Sequence, residues 1–239
     1  MIRIIPILFI LFVLSSCEKY NCFRNFGKPT TIEFPVDSFV ELEINDVFHV
    51  YTVHDSINKV EIKAGENIIG QVQAKVSDNV LSLSFCQQCR FMNPASTIDI
   101  YVHYISLNTI HINEPSYLNT LDSLTGDVTV TVPGSMAETD LKFNCSSLVF
   151  YTSWESNGVY KLSGYAGIAH LYAYKGSVIH ADSLTVDNNN VYNYSIGDIY
   201  ATATKTMNAW MNNYGNIYYH GEPEPVINEQ SSKGSLIRY

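Results

Sequence analysis

The sequence predicts an all-β protein wound as a parallel β-helix, with a less regular β portion towards its N-terminus. Three observations carry that reading. From residue 31 onward the apolar residues fall in short alternating runs, the period of a strand with one buried face, and no long amphipathic helical pattern occurs. Glycines that precede an apolar strand recur at Gly158, Gly176, Gly197, Gly215 and Gly234, at intervals of 18, 21, 18 and 19 residues. The residues after each glycine are similar, for example Val159-Tyr160-Lys161-Leu162, Asp198-Ile199-Tyr200-Ala201 and Asn216-Ile217-Tyr218-Tyr219. A unit of about 19 residues cannot bury a face alone and must stack on its neighbours. Leucine-rich repeats share the period, but their leucine-asparagine scaffold is absent. A β-sandwich is the competing fold, since many strands with turn signals also describe one. The regular glycine spacing favours the helix. With coils about 4.8 Å apart, about ten of them would make a rod roughly 50 Å long.

Each element has its own local signal. Phe39 to Val53 reads as two strands meeting at a tight bend, because Asn45-Asp46 is turn chemistry between Val40-Leu42-Ile44 and Val47-Phe48-Val50-Tyr51. Val60 to Ala64 is a short strand ending at Gly65, and Glu66 to Gln73 has room for a helical turn or two. Val72 to Val76 and Val80 to Phe85 alternate around Ser77-Asp78-Asn79, a hairpin signal. Ile98 to Tyr104 and Thr109 to Asn113 continue the pattern, which makes the first third hairpin-like. Between the glycine-led strands lie second runs such as Ile168 to Tyr172, Leu184 to Val186 and Asn208 to Met211.

The first residues address the chain. Arg3 precedes an apolar run from Ile4 to Leu14, and Leu14-Ser15-Ser16-Cys17 closes it. A branched apolar residue, two small residues and a cysteine are what a lipoprotein signal peptidase requires. The run is shorter than the roughly 20 residues of a comfortable bilayer span. The expected organisation is a signal peptide over 1–16, a tether over 17–30 lipidated at Cys17, and one β-helix domain over 31–239. The expected location is the bacterial envelope, as an outer-membrane lipoprotein facing the periplasm or the outside.

Composition narrows the partners. The chain has 14 Lys+Arg against 23 Asp+Glu, and loss of residues 1–16 removes only Arg3, leaving a net charge of −10. Without a basic run there is no footprint for nucleic acid or for electrostatic docking on anionic lipid. Hydrophobic residues at 46% suffice for one sizeable core. Tyr reaches 17 copies while charged residues are only 15%, which suits an extracellular β-protein. With Cys17 given to lipid, Cys22, Cys86, Cys89 and Cys145 remain, and four thiols allow three complete pairings. An oxidising compartment favours disulfides over a metal site, and no βαβ pattern surrounds Cys86-Gln87-Gln88-Cys89 to support redox chemistry.

Several short runs together carry a resemblance. They are Asp55-Ser56-Ile57-Asn58-Lys59-Val60, Ala64-Gly65-Glu66-Asn67-Ile68-Ile69, Asn21-Cys22, the cysteine after the strand 80–85, and Gly215-Asn216-Ile217-Tyr218-Tyr219 to Gly221-Glu222-Pro223. In these the chain resembles lipoproteins of the Bacteroidetes group and is similar to the head GIN domain of putative auto-transporter adhesins, over nearly the whole mature length. The resemblance implies a right-handed parallel β-helix shaped like a pectin lyase without its catalytic residues, and a role in cell adhesion. It also implies a bridge from Cys22 to Cys86 or Cys89. The chain departs from the pattern in having a second cysteine there, and in corners such as Pro133-Gly134-Ser135.

Asp182, Asp187 and Asp198 invite comparison with glycan-cleaving β-helices, whose paired carboxylates sit about 5 to 9.5 Å apart. Asp182 and Asp198 differ by 16, so they are offset rather than stacked. Ser177, Asp198, Asn216 and Ser235 come directly after the repeating glycines and read as corner residues. Asn188-Asn189-Asn190 reads as a corner for the same reason. The seven histidines show no metal spacing, and no catalytic constellation, cofactor motif or metal motif is expected. Aromatics are the better clue: Tyr192, Tyr194, Trp210, Tyr214, Tyr218 and Tyr219 crowd the last coils. Flat rings on a β-helix face can contact a glycan or a protein, although half of each alternating run fills the bore. Tyr194, Trp210, Tyr214, Tyr218 and Tyr219 are therefore the candidate contact surface of a non-enzymatic adhesion or interaction module. The rival is a glycan-binding or glycan-cleaving protein of a nutrient-uptake system, and exposed end coils open a route to homo-oligomers.

Overall fold

The computed structural model describes residues 26–86, 97–231 and 233–239. They form a β-solenoid of about six turns with less regular strands at the N-terminal side. The first strands are β1 (Pro29–Pro35), β2 (Glu41–Ile44), β3 (His49–His54), β4 (Lys59–Gly65), β5 (Val72–Ser77), β6 (Val80–Phe85) and β7 (Asp99–Tyr104). Then come β8 (Thr109–Ile112), β9 (Tyr117–Thr120), β10 (Leu124–Val132), β11 (Glu138–Thr152), β12 (Val159–Lys175) and β13 (Val178–Ser195). The last are β14 (Ile199–Thr202), β15 (Thr206–Met211), β16 (Ile217–His220), β17 (Glu224–Gln230) and β18 (Leu236–Arg238).

The strands stack in three faces. Face A runs β6-β2-β8-β10-β11-β12-β13-β15-β17, all parallel. Face B runs β7-β3-β9-β11-β12-β13-β14-β16-β18, also parallel, and antiparallel β4 and β1 extend its N-terminal edge. Face C is made by the middles of the long strands, at 124–126, 143–145, 164–166 and 184–186. In the regular coils the chain passes from B through C to A within or between strands, and the AB corner is where a loop breaks it.

Alternation builds the core. On face A the inward column is Leu42, Ile110, Val130, Phe150, Leu171, Val191 and Ala209, all fully buried. At 25 cal/mol per Å², each buried aliphatic side chain stabilises by about 1.5–3 kcal/mol, so the stack itself supplies the solenoid's stability. Stacked partners such as Phe150 and Leu171, or Val191 and Ala209, show how the coil length varies around the expected 19 residues.

The AB corner explains the glycines. Register places Gly158, Ser177, Gly197, Gly215 and Gly234 in one column, continued by Ala137 and Ser116. A methyl on Gly215 would lie 1.9 Å from the Gly197 carbonyl oxygen, and one on Gly158 would lie 2.2 Å from that of Ala137. From Ser116 onward only small residues stand there, which lets successive coils close. Gly176 is one position out of the column: Ser177, fully buried, takes the glycine's place in that coil.

The bend expected at Asn45-Asp46 forms, as an AB corner that sends β2 to face A and β3 to face B. Two other expectations change. Asn188-Asn189-Asn190 lies within β13, and among described non-glycine residues only Asp78, Asn79 and Lys175 have positive φ. Asn189 points into the bore while Asn188 and Asn190 point outward. The regular solenoid makes about six turns, against about ten expected: β1, β4 and β5 pair only antiparallel, and β6 pairs antiparallel with β5 on one side and parallel with β2 on the other. The hairpin at Ser77-Asp78-Asn79 forms as expected, with Asp78 and Asn79 at φ 51° and 64°, and Ile69–Gln71 makes a single 3-10 turn.

Chain order and coil order differ at the N-terminal side. The β2–β3 coil lies between the β6–β7 coil and the β8–β9 coil, paired in parallel on both sides.

Candidate functional site: an aromatic face

Because strand side chains alternate, every second residue of face A points outward, and coil stacking aligns those residues in columns. One column is Tyr151, Tyr172, Tyr192 and Trp210; the next is Tyr174 and Tyr194. Ring centroids lie 4.3 Å apart between Tyr172 and Tyr192, at 6° between planes, and 4.1 Å between Tyr192 and Trp210, at 9°. Tyr174 and Tyr194 stack at 4.9 Å, and Trp154 reaches from the AB corner to within 4.8 Å of Tyr174. Beside the rings runs an amide column in which Asn208 donates to Asn190 at 3.0 Å, and in the next column Thr206 donates to Asn188 at 2.9 Å.

This packing decides what the face offers. The ring planes are spent on one another, so the ladder shows its edges and phenol hydroxyls outward. Burial and the neighbouring Tyr172 push the Tyr192 phenol up to about 12, so the hydroxyl stays protonated and able to donate. A rigid, half-buried row of phenol edges beside carboxamides gives contact area at low entropic cost with adaptable hydrogen bonding.

The residues singled out in the sequence do not converge. Trp210 and Tyr194 are on face A. Tyr218 is on face B, in a second ladder with Tyr200 and His180 at 5.0 and 4.9 Å. Tyr219 turns inward and packs against the core, and Tyr214 stands exposed on the AB corner. Sequence reasoning passed over Tyr151, Trp154, Tyr172 and Tyr174. The signal was present, since Tyr151, Tyr172, Tyr192 and Trp210 recur at about one coil length.

The aspartates serve the backbone and surface. Asp198 Oδ1 accepts the Asn216 N–H at 2.7 Å, and Asn216 Oδ1 accepts the Ser235 N–H at 3.0 Å, so each corner residue caps the next coil. Asp187 accepts from Lys205, Thr204 and Tyr165, and these bonds, the lysine's first, hold its carboxyl below the usual range. Asp182 stacks under Thr202, whose hydroxyl donates to the Asp182 carbonyl. The three therefore occupy different columns. Among the described residues no group of three or more His, Cys, Asp or Glu is placed to hold a metal ion.

Cys17, Cys22 and Cys89 lie outside the described residues, and so do the expected lipidation and one end of the expected bridge. Cys86 is an exposed free thiol, and among the described residues there is no disulfide. Cys145 is a buried free thiol that burial pushes up to about 11. No described helix is long and apolar enough to cross a membrane.

The fold and its surface define a β-solenoid with flat faces covered by side-chain ladders. Residues 38–223 match the family described as "Putative auto-transporter adhesin, head GIN domain", and the chain belongs to that family. Solved structures agree on the fold. A putative adhesin from Bacteroides fragilis NCTC 9343 superposes with a TM-score of 0.80 at 23% identity, over 89% of this chain and 97% of that one. One from Parabacteroides merdae ATCC 43184 gives 0.65 at 18%, with the same coverage. A structure titled as a putative lipid binding protein from Parabacteroides distasonis ATCC 8503 gives 0.55 at 16%, over 89% and 97%. No curated protein matches the chain.

Proposed function

We propose that the chain is a non-enzymatic interaction module of the bacterial envelope, adhesin-like in use, anchored by lipid at Cys17 and contacting a protein or glycan partner through face A. The observation that carries this is the pair of ring columns beside the amide column: a flat, preorganised surface, with no convergence among the three aspartates that could have served a β-helix hydrolase. Family membership and the lipoprotein-type sequence around Cys17 support the placement in the envelope.

Protease shaving of intact cells tests the placement, with loss of the protein expected; a protein that survives shaving with the outer membrane intact sinks surface contact. Beads coated with the mature chain test the face, on arrays of envelope-derived and host-derived glycans and proteins. The double variant Tyr192→Ala/Trp210→Ala is expected to lose at least tenfold in binding while keeping its fold. Equal binding by that variant removes face A from the mechanism.

A further inference from the structure

The most exposed large apolar residues are not scattered. Met136, Ile196, Tyr214 and Trp154 are 69%, 66%, 65% and 64% exposed, above every other large hydrophobic of the described chain. All four stand on AB-corner loops. Met136, Ile196 and Tyr214 occupy one register position, immediately before the small-residue column, and Trp154 projects from the corner between β11 and β12. Val47, also exposed, holds the same corner on the β2–β3 coil. From Val47 to Tyr214 the ridge climbs six coil steps, about 29 Å at 4.8 Å each.

The chain enters the fold at this same corner. β1 begins at Pro29 opposite Gly65, and Lys63 lies opposite Asp99 at the corner end of β7. Phe26 packs on Gly65 there, and its carbonyl accepts the Asn67 N–H. Eight residues lie between Cys17 and Phe26, nine Cα steps with a reach of at most about 32 Å. A lipid on Cys17 therefore pulls on the N-terminal end of the corner that carries the ridge.

We infer that the AB corner is a membrane-interface ridge: Met136, Trp154, Ile196 and Tyr214 dip into the headgroup and acyl boundary and lay the solenoid along the bilayer. A line of single side chains on a convex edge buries far less than the roughly 1,600 Å² of a standard protein interface. A bilayer needs no complementary surface, and Trp and Tyr favour its boundary. The charges at the corner are net acidic, Asp46, Glu114, Glu138, Glu155 and Asp198 against Lys175 and Lys233, so the ridge rests on apolar contact and favours zwitterionic over anionic lipid. Acyl chains and ridge are then two anchoring signals, and the second fixes orientation, turning face C outward and leaving faces A and B open on the flanks. The proposal shares the lipoprotein reading of Cys17, but the ridge can be tested without it.

The mature chain from residue 17 with Cys17→Ser removes the lipid, and Trp210→Phe leaves Trp154 as the reporter. Zwitterionic phosphatidylcholine vesicles are the probe. The expected result is a blue-shifted Trp154 emission, quenched by brominated acyl chains, with co-flotation that changes less than twofold between low and high salt. Ile196→Ser/Tyr214→Ser is expected to weaken partitioning at least tenfold with an unchanged melting curve. No shift and no flotation overturns the proposal, as does equal flotation of the double variant. A Trp154 shift only on adding envelope protein overturns it too and gives the ridge to a protein partner. Metabolic labelling of Cys17 with palmitate reads the lipoprotein assignment separately, so the two fail independently.

Discussion

At the AB corner a single hydrogen decides whether two coils can close. Gly215 sits under a carbonyl that any Cβ would strike, and from Ser116 onward the column is glycine, serine or alanine, whereas one coil earlier the same position is Phe48. Gly215→Ala is expected to cost about 2–3 kcal/mol, the range for overpacking a fixed backbone contact, read as a lowered urea midpoint with unchanged slope. Gly70→Ala is the control: nothing lies within 4 Å of its position. It is expected to be neutral or to stabilise by up to about 1 kcal/mol through the unfolded chain. This constraint is also why the solenoid was legible in sequence. Steric exclusion leaves a residue-type signature at one coil length, whereas inward aliphatic positions accept Val, Leu, Phe or Ala and leave only alternation. The one misread position, Gly176, shows the limit. Ser177 satisfies the same steric rule, so spacing between glycines alone shifts the register by one.

Among the elements, β7, β12 and β13 hold the tyrosines Tyr104, Tyr160 and Tyr192 that set the alkaline limit of the fold. Burial pushes the phenols of Tyr104 and Tyr160 up to about 12, and burial with Tyr172 does the same for Tyr192. A group whose pKa is raised in the folded state favours the protonated fold. Its contribution is therefore complete below pH 10, where the unfolded phenol begins to ionise, and is lost as pH rises towards 12. Spectrophotometric titration is expected to show most tyrosines ionising reversibly and a late group ionising only as the far-ultraviolet strand signal collapses. Ionisation of all 17 tyrosines before any loss of strand signal would contradict these buried positions. Half of the aromatic face could be read from the sequence. Tyr194 and Trp210 were visible as an aromatic crowd, but crowding along the chain does not equal proximity across coils. Tyr218 and Tyr219 face opposite ways because they are adjacent in β16, and Tyr151 joins face A because it stands one coil below Tyr172.

At the scale of the whole molecule, the solenoid ends are guarded. β1 opens and closes with proline, and Val36 donates to Asn58, so alternation turns the nitrogens of Pro29 and Pro35 to the free edge. At the other end Glu224 donates to the Lys205 carbonyl, which turns the Pro225 nitrogen outward on β17. Missing donors on free edges discourage end-to-end pairing, and they count against self-association through the end coils. Pro225→Val restores a donor and is expected to give concentration-dependent dimers in light scattering, while the parent chain stays monomeric. Dimers of the parent chain that Pro225→Val leaves unchanged would move the interface elsewhere. The N-terminal third was the least legible part at this scale. No local pattern announces that β2 and β3 pair with strands about 40 to 70 residues further on.

That interleaving governs how the molecule is made. A chain that crosses a membrane N-terminus first would ordinarily lay down its first turn as a template and wind upward from it. Here β2 and β3 emerge early and must wait, unpaired on at least one edge, until β8 and β9 arrive at residue 120. The β2–β3 coil is therefore covered on both sides only once residues 41–120 are all available. An export chaperone that shields residues 41–54 would act at the single step where the nascent chain is most open to mispairing.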